Sequence, residues 1–358
     1  MQTVTARRTP LYDAQKKRGA KFTEFAGWEM PVIFSSITQE HLAVRNQAGL
    51  FDISHMGQIY VEGDEALHFL QKVCTNDISR CKPKHGIYSH MLNERGGVID
   101  DIFVYWLDSK KYLVVVNAAT IEKDFSWMRR QSPEGLSIHN ASADVGMLAL
   151  QGPKAEAIAS RIFSVLPDRH GYLDSHFKNH KVSLCRTGYT GEDGFEIIAP
   201  NEALAALWDG LLNEGSAEGI LPCALGSRDT LRLEAGYLLY GQDMDDDHTP
   251  LESGPPWVVK MGKDFFIGKE ALERQQKEGV RRKLTAFKLT ERGIPRHHSK
   301  IFCDGREVGI VTSGTYSPLL KQGIALGYVP PQITGAISID CGGKKVPAEA
   351  TATPFYKK

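Results

Sequence analysis

The chain has no surplus of either charge: among its 358 residues, lysine plus arginine total 43 and aspartate plus glutamate total 43. Without a basic footprint, nothing draws it to nucleic acid or to an anionic membrane surface. Its six cysteines, Cys74, Cys81, Cys185, Cys223, Cys303 and Cys341, stand far apart with no Cys-x-x-Cys pair. Zinc and iron–sulfur sites need tighter spacing, so reduced thiols and no metal are expected. No apolar run approaches the roughly 18 residues that cross a bilayer, and the N-terminal segment has neither a signal h-region nor an Arg/Ser-rich presequence. The expectation is a cytoplasmic protein. Ser-His-Asp, Cys-His, Walker and His-Glu-x-x-His patterns are also missing, which leaves nucleophilic hydrolases and metalloenzymes without residues.

What is present is a mixture of helix and strand signals without regular βαβ alternation. Ser36 followed by Gln39 predicts a helix running to Gly49, and a second begins near Asp64. The clearest helix is 201–214, capped by Asn201, with Leu204, Leu207, Trp208 and Leu211 on one stripe. Short strands are predicted at Gln58–Val61, Tyr112–Asn117, Gly146–Leu150, Lys181–Arg186 and Phe195–Ile198. After the charged, helix-prone stretch Glu270–Arg282, strands broken by Gly and Pro follow at Leu284–Leu289, Val308–Thr312, Ile324–Val329, Ala336–Ile339 and Val346–Ala352. The fold class is therefore α+β with mainly antiparallel sheets, followed by a C-terminal all-β barrel. The boundary falls near residue 276, giving 1–275 and 276–358.

Two adjacent carboxylates, Asp100 and Asp101, interrupt the apolar run Val98–Tyr105. Alternation sends them to opposite faces, and two readings follow: one carboxylate enters a pocket, or the pair is a plain strand mouth with one residue solvated and one capping the Gly96-Gly97 turn. Which is which stays open on this segment alone. In Arg186–Glu196, three glycines at spacing three form a tight loop into the strand that holds Glu196. The pattern is not G-x-G-x-x-G between strand and helix, so no dinucleotide is implied. One reading is a hairpin with solvated acids. In the other, Glu196 accepts paired hydrogen bonds from a ring N–H and a neighbouring amine, as on a pterin edge.

Within Gly226–Gly236, Ser227 suits a helix cap and Arg228 sits in the first turn, where a cation opposes the helix dipole. It pairs either with Asp229 or Glu234, or with a ligand's oxo or carboxylate group. Tyr237–Asp245 sets aromatics before an acidic turn, which fits both ordinary packing and a flat heterocycle. Phe25–Pro31 and Phe51–Gly57 read as aromatic core with a turn, with His55 at most lining a pocket.

Taken in order, RRTPLYD, FAGWEMPV, FDISHMGQ, TNDI, GGVIDDIFVY, QGPKA, RTGYTGEDGFEI, LGSRDTLRLEAGYLLYGQDMD and VTSGTYSPLL resemble the aminomethyltransferase family, the T-protein of the glycine cleavage system. The likeness covers about residues 7–356. Cys185 departs from the usual Ser or Thr. Folate-binding repair proteins carry Lys-Gly-Cys-Tyr-x-Gly-Gln-Glu where this chain reads Leu-Leu-Tyr-Gly-Gln-Asp, so that cousin is disfavoured; sarcosine and dimethylglycine dehydrogenases add a flavin domain that this length excludes.

The resemblance implies two interlaced subdomains, one centred on about 51–140, and a barrel, arranged as a ring around a folate channel. It implies tetrahydrofolate as co-substrate with no metal or flavin, and lipoylated H-protein carrying an aminomethyl group as partner. It places the essential aspartate on Asp101 and folate contacts on Glu196, Arg228, Tyr189 and Tyr356. Rival readings are a non-catalytic folate-binding module for iron–sulfur repair and another one-carbon transferase on the same scaffold. Lys260, Lys263 and Lys269 form a basic run that either meets an acidic carrier or is simply solvated.

Overall fold

In the computed structural model, which describes residues 6–356, the helix Ile37–Asn46 begins as the sequence predicts. Ser36 is extended and its Oγ accepts from the Gln39 N–H at 3.1 Å, satisfying one of the donors that a helix start leaves open. Helix Asn201–Glu214 buries Leu204, Leu207, Trp208 and Leu211 against Leu148, Leu150, Phe195 and Ile197. Each such side chain contributes about 1.5–3 kcal/mol. Its start differs from expectation: Pro200 occupies the cap position, and Asn201 lies inside the helix with its Nδ2 donating to the Ala143 carbonyl at 2.8 Å.

That helix covers a six-stranded sheet in the spatial order Tyr172–Phe177, His180–Cys185, Gly194–Pro200, Val145–Gln151, Gly49–Asp52, Leu221–Cys223. All neighbours are antiparallel except the last two, which run parallel. A five-stranded sheet has the order Gly86–Leu92, Val98–Asp108, Lys111–Val116, Gly57–Glu62, Ser137–Asn140. The segment read only as aromatic core with a turn is a hairpin, Lys21–Phe25 with Trp28–Ile33, turning at Ala26-Gly27.

The C-terminal strands close into a barrel: Lys283–Leu289, Gln322–Val329, Arg306–Ser317, Lys300–Cys303, Ile337–Asp340 and Lys345–Thr351, every pair antiparallel. Phe287, Leu289, Ile301, Val311, Ile339 and Val346 fill its interior. Strand Lys300–Cys303 has no counterpart in the sequence reading, and Arg306–Ser317 is far longer than Val308–Thr312. A register shift between Val311 and Ser313 breaks the alternation there, which hides the second half of the strand from a period-two pattern.

The chain forms two compact units. The first runs to Leu70 and includes Ile78–Tyr88 and Ile102–Asp229; the second comprises Gln71–Asp77, Ser89–Asp101 and the chain from Thr230 onward. No helix of the described residues is long and apolar enough to cross a membrane.

Candidate active site

In the first unit, Glu196 lies on strand Gly194–Pro200, opposite Cys185 on one neighbour and Ala149 on the other. Its Oε2 accepts from the Thr187 hydroxyl at 2.6 Å, and Thr187 Oγ1 lies 2.7 Å from the Tyr105 hydroxyl. Because Thr187 spends its proton on the carboxylate, Tyr105 donates to Thr187. Burial raises the Glu196 pKa, while the Thr187 bond and the Arg228 charge pull it back. A carboxylate held by one hydroxyl with a cation nearby retains acceptor capacity for a ligand. Burial beside Glu196 also pushes the Cys185 thiol up, so that departure from the family pattern is an unreactive thiol.

The loop before Glu196 is held from below. Arg45 Nη1 donates to the Thr190 carbonyl at 2.7 Å and pairs with Glu192 at 2.9 Å, both side chains nearly inaccessible. Gln151 Nε2 donates to the Thr187 carbonyl and its Oε1 accepts from Thr190 Oγ1. A Cβ on Gly188 would fall inside the Gln151 amide, and Gly191 has φ +78°. Glycine at these two positions is therefore required for close approach and for a left-handed turn. Thus Glu192, a solvated acid if the segment were a plain hairpin, is a buried anchor.

Tyr189, carried on that loop, places its ring under the Arg228 guanidinium, 4.8 Å from its centroid, a cation–π contact. Arg228 stands on helix Leu225–Glu234. Glu40 fixes the entry to that helix: its Oε2 accepts from the Ala224 N–H and the Ser227 hydroxyl, and its Oε1 from the Phe34 and Ser35 N–H groups. Ser227 is accordingly not a cap: its hydroxyl donates to Glu40, and the anion complements the helix N-terminus. Burial lowers the Arg228 pKa, with Glu196 and Tyr189 opposing, and its buried Nη1 has no hydrogen-bond partner. A buried guanidinium nitrogen left open in this way suits a ligand oxygen. Glu196, Arg228 and Tyr189 are thus brought together.

In the second unit, Asp100 is fully buried and Asp101 partly exposed. The start of their strand is clamped: Val98 N–H donates to the Asp245 and His248 carbonyls, and Asn93 Nδ2 donates to the Asp246 carbonyl. A Cβ on Gly97 would enter that same carbonyl. Asp101 therefore stands three residues into a strand whose start is held by these backbone contacts. Tyr356 is half-buried, and the adjoining Phe355 N–H donates to the Glu234 carbonyl at 2.9 Å.

The buried ion pair of this helix is made by Arg232, whose Nη1 lies 2.8 Å from Asp243 Oδ2, and not by Arg228 with Asp229 or Glu234, one of the two alternatives open for it. The basic run is also largely committed. Lys263 Nζ donates to the Gln71, Cys74 and Asn76 carbonyls, and Lys269 Nζ donates to the Lys263 and Asp264 carbonyls. Two surface concavities in the first unit, of about 300 and 450 Å³, are lined around His85 and His170 and around Gln39 and Leu221. Neither contains a predicted site residue. Among the described residues, no group of three or more His, Cys, Asp or Glu side chains could hold a metal ion.

Sequence reasoning passed over Thr187, Tyr105, Gln151, Arg45 and Glu40. Thr187 and Tyr105 stood inside segments already singled out. Arg45 and Glu40 gave a signal only as charges on a helix otherwise capped and amphipathic.

Mixed sheets followed by a barrel, with these residues on them, define a T-protein-type chain. Residues 11–263 match the GCVT N-terminal domain, and residues 282–357 match the glycine cleavage T-protein C-terminal barrel domain. An aminomethyltransferase from Geobacillus sp. (strain WCH70) is 46% identical over 98% of this chain and 99% of its own. One from Halothermothrix orenii is 48% identical over 90% and 91%. The crystal structure of glycine cleavage system aminomethyltransferase T from Bartonella henselae covers 98% of both chains at 33% identity, with a TM-score of 0.89. The chain belongs to the glycine cleavage T-protein, or aminomethyltransferase, family.

Proposed function

We propose that this chain transfers the methylene of an aminomethyl group, carried as a thioether on the lipoyl arm of H-protein, to tetrahydrofolate. The products are 5,10-methylenetetrahydrofolate, ammonia and the dihydrolipoyl arm. Family membership supports the reaction. The observation that carries the folate assignment is the pairing, in one unit, of the Thr187-held Glu196 carboxylate with the open Arg228 Nη1 over Tyr189. In this reading Glu196 accepts from the pterin's ring N–H and 2-amino group, Arg228 donates to its oxo group and Tyr189 backs the guanidinium.

Asp101 acts on the transferred carbon: a carboxylate there stabilises the cationic character that develops as ammonia departs and orients the accepting amine. Holding amine and carbon in near-attack geometry supplies several kcal/mol more. We assign a folate contact to Tyr356 as well. We also place the division between the folate-binding region and the barrel domain near residue 276, and the protein in the cytoplasm, for which six unbridged cysteines are suited.

The test incubates purified protein with aminomethyl-loaded, lipoylated H-protein and tetrahydrofolate, and quantifies ammonia and methylenetetrahydrofolate together. Equal yields that vanish without H-protein are expected. Folate binding without turnover, or turnover without H-protein, overturns the assignment.

A further inference from the structure

His55 is a residue of the FDISHMG motif for which the reading above has no use. Strands Gly49–Asp52 and Leu221–Cys223 are parallel neighbours, with Phe51 opposite Cys223. Both therefore leave the sheet at the same end, one into the turn at 53–56 and the other into the helix that carries Arg228. The Glu196 strand runs in the same direction, since it and Gly49–Asp52 are each antiparallel to Val145–Gln151. All three segments belong to the first unit.

The groups around His55 in the turn are fully engaged. Asp52 accepts from Thr9, Gln15 and the Ser54 N–H, and the Ser54 hydroxyl bonds the Met147 backbone. His55 itself is only 2% exposed, its ring meets Phe25 edge-on at 5.8 Å, and its Nδ1 has no hydrogen-bond partner. Burial, helped by the Arg228 charge, brings its pKa down to about 3, so the ring is a neutral imidazole. A buried polar atom left unbonded is unfavourable unless a ligand supplies its partner. Here two such nitrogens, His55 Nδ1 and Arg228 Nη1, sit on segments that leave neighbouring strands at one end.

We propose that His55 is a further tetrahydrofolate-contacting residue, whose ring nitrogen hydrogen-bonds the reduced pterin beside Arg228 and fixes its position. The inference rests on the folate reading above.

The test compares the parent with His55→Phe, which keeps a ring against Phe25 but has no nitrogen, and His55→Asn, whose carboxamide restores a polar atom near the Nδ1 position. Tetrahydrofolate is titrated into each full-length protein without H-protein, and steady-state kinetics follow with it. His55→Phe is expected to bind tetrahydrofolate about tenfold more weakly, the loss of one hydrogen bond. KM for tetrahydrofolate should rise while KM for H-protein and the melting temperature hold, and His55→Asn should recover most of the loss. A His55→Phe protein that binds like the parent overturns the inference. So does one that melts early and loses both KM values with no rescue by Asn, which marks a structural histidine. Failure of the parent itself to bind tetrahydrofolate overturns the folate reading, and is distinguishable because it precedes any substitution.

Discussion

Replacing Thr187 with Val tests whether Glu196 meets its ligand as a carboxylate. The substitution keeps the branched shape and removes the 2.6 Å bond to Glu196 Oε2. That bond favours the charged form of an acid whose pKa burial has already raised. In the parent, tetrahydrofolate affinity is therefore flat at alkaline pH and falls as pH drops through the raised pKa, because a protonated Glu196 carries a hydrogen on one oxygen and no longer accepts through both in parallel. Without Thr187 the fall begins at higher pH. At alkaline pH the two proteins bind alike, since Glu196 is ionised in both before ligand arrives. On the acid limb they separate by the value of one hydrogen bond to a charged group, about 1.5–3 kcal/mol, or about ten- to hundredfold in dissociation constant. Tyr105 loses its acceptor as well, so Thr187→Val/Tyr105→Phe serves as the control for a stranded hydroxyl. Fluorescence titration of tetrahydrofolate across pH, with melting temperature followed in parallel, reads the outcome. A constant offset at every pH would show that Thr187 only shapes the loop, and coincident curves would remove the ionised Glu196 from the site.

Asp101→Asn is expected to lower turnover by about 10²–10⁴-fold, the range of a positioned acid–base group, with tetrahydrofolate affinity unchanged; parent-like single-turnover rates would assign the chemistry elsewhere. Asp243→Ala removes the buried carboxylate that pairs with Arg232 and should cost about 3–5 kcal/mol in urea unfolding, whereas Arg232→Met/Asp243→Leu recovers much of it because both charges leave together. Gly188→Ala drives a Cβ into the Gln151 amide that holds Thr187 and Thr190. It should weaken tetrahydrofolate binding in calorimetry without loss of barrel secondary structure.

How far the sequence reveals this site follows the range of the interactions that build it. The Asn201–Glu214 stripe, the Ser36 cap and most barrel strands depend on neighbours a few residues away, and their periods are visible in the chain. The pairing of Asp100 with a buried face and Asp101 with a partly open one needed the strand's surroundings, because alternation separates the two without saying which face is covered. Arg228 illustrates the same limit. Its helix position and charge are legible, yet its nearest acidic residues in the chain, Asp229 and Glu234, are not what it meets; Tyr189 is, from 39 residues away on a loop. The buried ion pair fell to Arg232, one helical turn further on, where the sequence offers the same guanidinium beside the same acids. Glu40 carries this furthest. On its own helix it is one more acid in the first turn, and only the folded sheet brings Ala224 and Ser227 to its oxygens. The orientation of Arg228 is thus set by a carboxylate 188 positions earlier in the chain. Glu40→Gln should accordingly weaken tetrahydrofolate binding although the residue never touches the ligand, because a neutral amide answers the helix N-terminus less well than a carboxylate does.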